Sequence, residues 1–131
     1  MKYDAELVNE FVAESREHLA DIEDDLLQME RAAGSVPSPA VVDKVFRAIH
    51  SIKGAAGFLG FRKINDLSHV METILQTIRA GEAKPDSKTV DALLSGVDLL
   101  KTMLDDIEHC ESVDIQKVHD NLSSLLAKQV S

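Results

Sequence analysis

The sequence predicts an all-α fold, an antiparallel up-down bundle of five helices around a four-helix core. Three observations carry this. Apolar residues recur at three-to-four spacing over almost the whole chain, and no segment alternates with the period of two that a half-buried strand shows. Connections between the periodic segments are short, which makes successive helices antiparallel neighbours. Aromatic residues are 4% of the chain, Trp is absent, and 6 Gly and 3 Pro in 131 residues leave aliphatic helix packing as the natural core. That length suits one domain, 1–131, with a real core and no covalent staples.

The first helix is predicted over roughly 4–31, with Leu7, Phe11, Ile22, Leu26 and Met29 among its apolar positions and carboxylates crowding its polar face. It stops at Ala33-Gly34, because Gly beyond a last turn tolerates positive φ. Ser38-Pro39 then reads as N-cap and first helical residue, where the N–H that Pro lacks has no partner anyway. A second helix follows over about 39–58 and a third over about 62–80, joined by the four-residue turn Gly57-Phe58-Leu59-Gly60. Gly81 closes the third. Asp86 or Ser87 caps a fourth helix reaching about 109, whose Val90, Leu93, Leu94, Val97, Leu100, Leu104 and Ile107 keep helical spacing. Ser112 or Asp114 opens the last, with Val118, Leu122, Leu125 and Leu126.

The net charge of −9 argues against nonspecific binding to nucleic acid or anionic membranes. No apolar run approaches the roughly 18 residues of a membrane span, and the N-terminus lacks a signal-peptide core. The single Cys110 excludes an internal disulfide and fits a reducing compartment, so a cytoplasmic protein is expected. The charge is uneven. From Asp4 to Glu30 ten carboxylates face one base, Arg16, whereas from Asp43 to Lys63 five bases (Lys44, Arg47, Lys53, Arg62, Lys63) face Asp43 alone.

Residues 50–57, His50-Ser51-Ile52-Lys53-Gly54-Ala55-Ala56-Gly57, break the helix rules inside a well-formed amphipathic segment. Each interior Gly costs about 1 kcal/mol relative to Ala, so two within one turn need a reason. At about 100° per residue, Val45, Ile49, Ile52 and Ala56 form the core face, while Lys53, Gly54 and Gly57 fall within roughly 60° of His50. The histidine therefore points away from the core, with a lysine one turn on and two stripped positions beside it. The glycines either admit another protein to the helix surface or let a neighbouring helix pack closely. Cations around a histidine suit an anionic modification or an acidic partner.

A neutral imidazole nitrogen is a nucleophile near pH 7, and the group its other nitrogen donates to decides which one attacks. The third helix offers His69 and Glu72 on one face, opposite Ile64, Leu67, Met71, Ile74, Leu75 and Ile78. Positions 50 and 72 are nearly equidistant from the turn at 59–60, so Glu72 is placed to face His50 across antiparallel helices. No metal site is expected: His109, Cys110 and His119 have irregular spacing, and the carboxylates of the first helix lack calcium-loop spacing.

The run His50-Ser51-Ile52-Lys53-Gly54-Ala55-Ala56-Gly57-Phe58-Leu59-Gly60-Phe61 closely resembles the signature of histidine phosphotransfer (HPt) domains, H-S-x-K-G-x-x-x-x-x-G. It is most similar to that of chemotaxis kinases of the CheA type. Phe11-x-x-Glu14-x-x-Glu17-x-Leu19, Phe46-Arg47-x-x-His50 and His69-x-Met71-Glu72 extend the resemblance over nearly the whole chain. Ala55 stands where the family often has Gly, off the His50 face. The resemblance implies that His50 accepts a phosphoryl group on Nε2 and that Glu72 accepts a hydrogen bond from Nδ1–H. It further implies that Lys53 stabilises the phosphoryl group, that His69 completes the polar network, and that Arg47, Gly54 and Gly57 meet the docking partner. The chain itself has no nucleotide-binding box. The implied partners are the ATP-binding domain of a CheA-type histidine kinase, which uses ATP and Mg, and response regulators that are CheY-like or CheB-like. The ending Lys128-Gln129-Val130-Ser131 suggests the N-terminal fragment of a larger kinase. Two other readings stand beside this one: a standalone HPt protein of a multistep phosphorelay, and a bundle that only binds a partner. Intact His50, Lys53 and Glu72 argue against the latter.

Overall fold

A computed structural model describes residues 4–31 and 38–130, the last four of these as backbone only. Five α-helices carry the fold: α1 (Ala5–Arg31), α2 (Pro39–Leu59), α3 (Arg62–Arg79), α4 (Ser87–Asp105) and α5 (Gln116–Val130). The first four close a ring in which α2 packs on α1 and α3, and α4 packs on α1 and α3. α5 lies outside it against α3 and α4. The core fills the ring with Leu19, Ile22, Leu26 and Met29 of α1, Ile49 and Ile52 of α2, Ile64, Leu67, Met71, Ile74 and Leu75 of α3, and Leu93, Val97 and Leu100 of α4. Within α2 the expected face Val45, Ile49, Ile52 and Ala56 is the buried one. Leu7 departs from expectation: it is 46% exposed, and its neighbour Val8 turns inward instead.

Element ends refine the sequence expectation in four places. α2 runs on to Leu59, so two residues, Gly60 and Phe61, join it to α3 rather than four. Gly60 adopts φ 84°, the amide of Phe61 donates to the carbonyl of Ala56, and the amide of Gly60 donates to that of Gly57. This left-handed cap suits Gly and satisfies two end carbonyls. Phe61 then turns inward and stacks on Phe11 of α1, with centroids 5.6 Å apart. Ser38 occupies the N-cap of α2, but its backbone carbonyl rather than its hydroxyl takes the first amides.

α4 ends at Asp105 and not near 109; a 3₁₀ turn, Ile107–Ser112, follows. Asp106 leaves helical geometry (φ −138°, ψ 67°), and its side chain and carbonyl bond to the ring and amide of His109. Local side-chain bonds of this kind compete with the helix ladder. Asp86 is the cap of α4, accepting from the Thr89 amide at 2.8 Å, and Asp114 accepts from the Gln116 amide at the start of α5. Ser112 belongs to the 3₁₀ turn. The expected stop at Ala33-Gly34 lies outside the described residues. Among the described residues no helix is long and apolar enough to cross a membrane.

Candidate functional site

Three residue pairs meet across the α2–α3 seam, each placed symmetrically about Phe61: Gly57 with Asn65, His50 with Glu72, and Asp43 with Arg79. Successive pairs are seven residues apart on both helices, the interval at which positions return to the seam of two helices crossing at a shallow angle. The site is the middle pair, and its neighbours fix the alignment on either side.

His50 Nδ1 lies 2.5 Å from Glu72 Oε2, and the Lys53 ammonium donates to Glu72 Oε1 at 2.8 Å. Glu72 is therefore clamped at both oxygens. Its side chain is 13% exposed, Lys53's is 23% and His50's is 63%. Burial alone pushes the Glu72 carboxyl up. The hydrogen bonds from Lys53 and His50, with the positive charge beside it, outweigh that and hold it below the usual carboxylate range. An ionised carboxylate can only accept, so His50 donates from Nδ1, and in the neutral imidazole this places the lone pair on Nε2. A second ion of opposite sign, Lys53, keeps Glu72 from swinging toward solvent.

The other expected site residues divide. His69 is exposed, and among the described residues no hydrogen bond joins its side chain to His50, Lys53 or Glu72. Gly54 faces open space: a Cβ there would meet nothing within 4 Å. Gly57 differs, since a Cβ would come within 3.0 Å of Asn65 Nδ2. That amide donates to the Lys53 carbonyl at 2.9 Å, tying α3 to the backbone of α2 at the lysine itself. Gly57 thus abuts the Asn65 side chain while staying exposed, and Gly54 is the position with open space around it. Arg47 is exposed, yet its guanidinium is held by Asp43 at 2.7 Å. Lys44 pairs with the buried Asp25 of α1 at 3.3 Å, and Lys63 donates to the Val113 carbonyl. The basic stretch of α2 is therefore largely compensated, with Lys53 set against the histidine's own acceptor.

Asn65, Phe46 and the Asp43–Arg79 pair are contributors that sequence reasoning assigned no role. Phe46 lies beside the His50 ring, with centroids 6.1 Å apart and planes 12° apart. The available signal was the seven-residue interval: Asp43, His50 and Gly57 on one helix, Asn65, Glu72 and Arg79 on the other. Among the described residues no cluster of three or more His, Cys, Asp or Glu is arranged to hold a metal ion.

Comparison with known proteins places this geometry. The Hpt domain family model matches residues 6–110. Chemotaxis protein CheA of Listeria monocytogenes is 33% identical over 118 residues, covering 88% of this chain and 19% of that protein. Chemotaxis protein CheA of Salmonella typhimurium is 34% identical over 104 residues, or 79% of this chain and 15% of that protein. The chain thus spans under a fifth of the length of these relatives. Among solved structures, the solution structure of the histidine phosphotransfer domain of CheA is 31% identical with a TM-score of 0.80, covering 94% of this chain and 93% of that one. The phosphorylated P1 domain of CheA3 in complex with CheY6 from R. sphaeroides is 26% identical, also at TM-score 0.80, covering 94% of this chain and 97% of that one. The ring of four helices, the oriented histidine on its surface and a family model spanning most of the sequence converge: the chain belongs to the Hpt domain family.

Proposed function

We propose that this chain is the phosphocarrier module of chemotaxis-type two-component signalling. His50 takes the γ-phosphoryl group of ATP from the nucleotide-binding domain of a CheA-type histidine kinase and passes it to an aspartate of a CheY-like or CheB-like response regulator. The observation that carries this is the hydrogen bond from His50 Nδ1 to Glu72 at 2.5 Å, which leaves Nε2 free on an exposed ring. The relatives being CheA proteins favours this reading over a free-standing phosphorelay carrier.

The chemistry follows from the geometry. The Nε2 lone pair forms the N–P bond as the bond from phosphorus to the ADP oxygen breaks, and ADP leaves with that electron pair. The ring becomes a phosphoimidazolium cation with Nδ1–H still on Glu72. Its new positive charge faces an acceptor already ionised and already in place, so little reorganisation accompanies the step. Lys53, one turn from His50 and bonded to Glu72, supplies the cation that stabilises the added phosphoryl oxygens. In the onward step the N–P bond breaks, the aspartate oxygen takes the phosphoryl group, and the imidazole returns to its starting tautomer. ATP and Mg are held by the partner kinase domain, within a larger cytoplasmic kinase of which this chain is one module. Gly54 leaves the His50 surface open to either partner.

The test is incubation with a CheA-type ATP-binding domain and γ-labelled ATP, comparing the protein with His50→Gln. Acid-labile, base-stable label should appear on the wild type and vanish in the variant. Label that persists in the variant overturns the assignment.

A further inference from the structure

The hydrogen bond to Glu72 fixes one nitrogen of the imidazole but leaves the ring able to swivel about that contact. The side chain is 63% exposed, so little else surrounds it. Phe46, one turn earlier on α2 and half-buried, lies nearly parallel to the imidazole, planes 12° apart and centroids 6.1 Å apart. That is within the range where offset rings attract. Phe46 is itself held from the facing helix. The Arg79 guanidinium of α3 sits 4.6 Å from the Phe46 centroid, a cation–π distance, and Asp43 Oδ1 holds Arg79 Nη1 at 3.5 Å. Asp43 is fixed in turn by Arg47 at its other oxygen.

We propose that Phe46, pinned by Arg79, is a positioning residue for the His50 imidazole: it fixes the plane of the ring while Glu72 fixes its tautomer. The inference rests on His50 being the phosphoryl acceptor. In-line transfer requires the Nε2 lone pair, which lies in the ring plane, to point along the bond being broken. A ring free to swivel spends part of its time misaligned. Glu72 sets which nitrogen carries the lone pair, and Phe46 sets where that lone pair points.

The experiment pairs two readouts on the intact chain: the order of the His50 ring from NMR relaxation of its Cε1–H, and the kcat and KM for phosphorylation by an ATP-loaded CheA-type kinase domain. Phe46→Leu keeps apolar volume and removes the ring face. It should lower ring order and reduce kcat about 2- to 10-fold with KM nearly unchanged. Phe46→Tyr should restore both. Arg79→Met, at a side chain 42% exposed, should move both readouts in the same direction by less. A folded Phe46→Leu protein with wild-type ring order and kcat overturns the proposal. If that variant does not fold, wild-type ring order in Arg79→Met overturns it. Absence of phosphoryl uptake by the wild type would instead sink the phosphocarrier reading, and the NMR arm would still decide the role of Phe46.

Discussion

Replacing Glu72 with Gln should damage phosphorylation more than replacing it with Ala, although Gln is nearly the same shape. The carboxylate serves two donors, His50 Nδ1 at 2.5 Å and Lys53 Nζ at 2.8 Å. A glutamine has one carbonyl oxygen and one NH2. The ammonium of Lys53 can only donate, so it claims the oxygen, and the NH2 is left facing His50. An NH2 donates to Nδ1, which favours the tautomer with its proton on Nε2 and no lone pair there. In Glu72→Ala the ring is merely released. It loses a charge-assisted bond worth roughly 1.5–3 kcal/mol to the phosphoimidazolium, or about 10- to 150-fold in rate. Glu72→Gln should lose at least as much as the upper end of that range. Stability should drop by only about 1 kcal/mol in either variant, because the exposed His50 and the partly exposed Lys53 regain water, and Tm should fall by roughly 3–5 °C. The assay is the initial rate of labelled phosphoryl uptake, with imidazole 15N shifts reporting the tautomer and thermal melting reporting the fold. A Glu72→Gln protein that is phosphorylated faster than Glu72→Ala, with the proton still on Nδ1, would refute the orienting role.

The depressed Glu72 and Asp86 carboxyls make stability depend on pH. Each contributes above its ordinary value, 4.5 for Glu72 and 3.8 for Asp86, and loses that contribution as pH falls through its lower folded value. The urea midpoint of the wild type should therefore fall in acid, and the gap between wild type and Glu72→Gln should close there; a gap that stays constant would count against the ionised clamp. Gly54→Ala adds a Cβ into open space, so it should raise stability by about 0.5–1 kcal/mol while raising the KM for the kinase domain. In Gly57→Ala the same propensity gain is offset by displacing Asn65 from the Lys53 carbonyl, leaving Tm nearly unchanged, which a melting curve checks directly. Gly96→Ala on α4 should destabilise by about 1–2 kcal/mol, because a Cβ there lies 2.7 Å from Met71 Sδ inside the closed core. A higher Tm for that variant would show that Met71 moves aside freely.

Facing residues on α2 and α3 were legible because two antiparallel helices joined by a tight turn form a folded ruler. Residues equidistant from the turn must meet, and an error of two residues in turn length did not move His50 off Glu72. The end of α4 was not legible for a complementary reason. Leu100, Leu104 and Ile107 keep helical spacing through the point where Asp106 leaves the helix, so the apolar pattern carries no mark of the break. The departure is made by a side chain bonding locally to His109, and Asp is common enough on helix surfaces to give no warning. Leu7 misled similarly. Near a helix start one residue of phase decides which side chain reaches the core, and Val8 does.

By itself the sequence determined that this chain is helical, that its helices are antiparallel, and that a histidine, a lysine and a glutamate share one face of two neighbouring helices. Those are consequences of periodicity and chain length, which are local and one-dimensional. Only the tertiary structure decided what each charge is doing. Lys53 sits on Glu72, Arg47 on Asp43, and Gly57 against Asn65, whereas a Cβ on Gly54 would meet only open space. Phe46 acquires its place beside His50 from an arginine more than thirty residues away on another helix. A cation's partner is set by which carboxylate the packing delivers within hydrogen-bond reach. That distance is a property of two helices together and is written on neither of them alone.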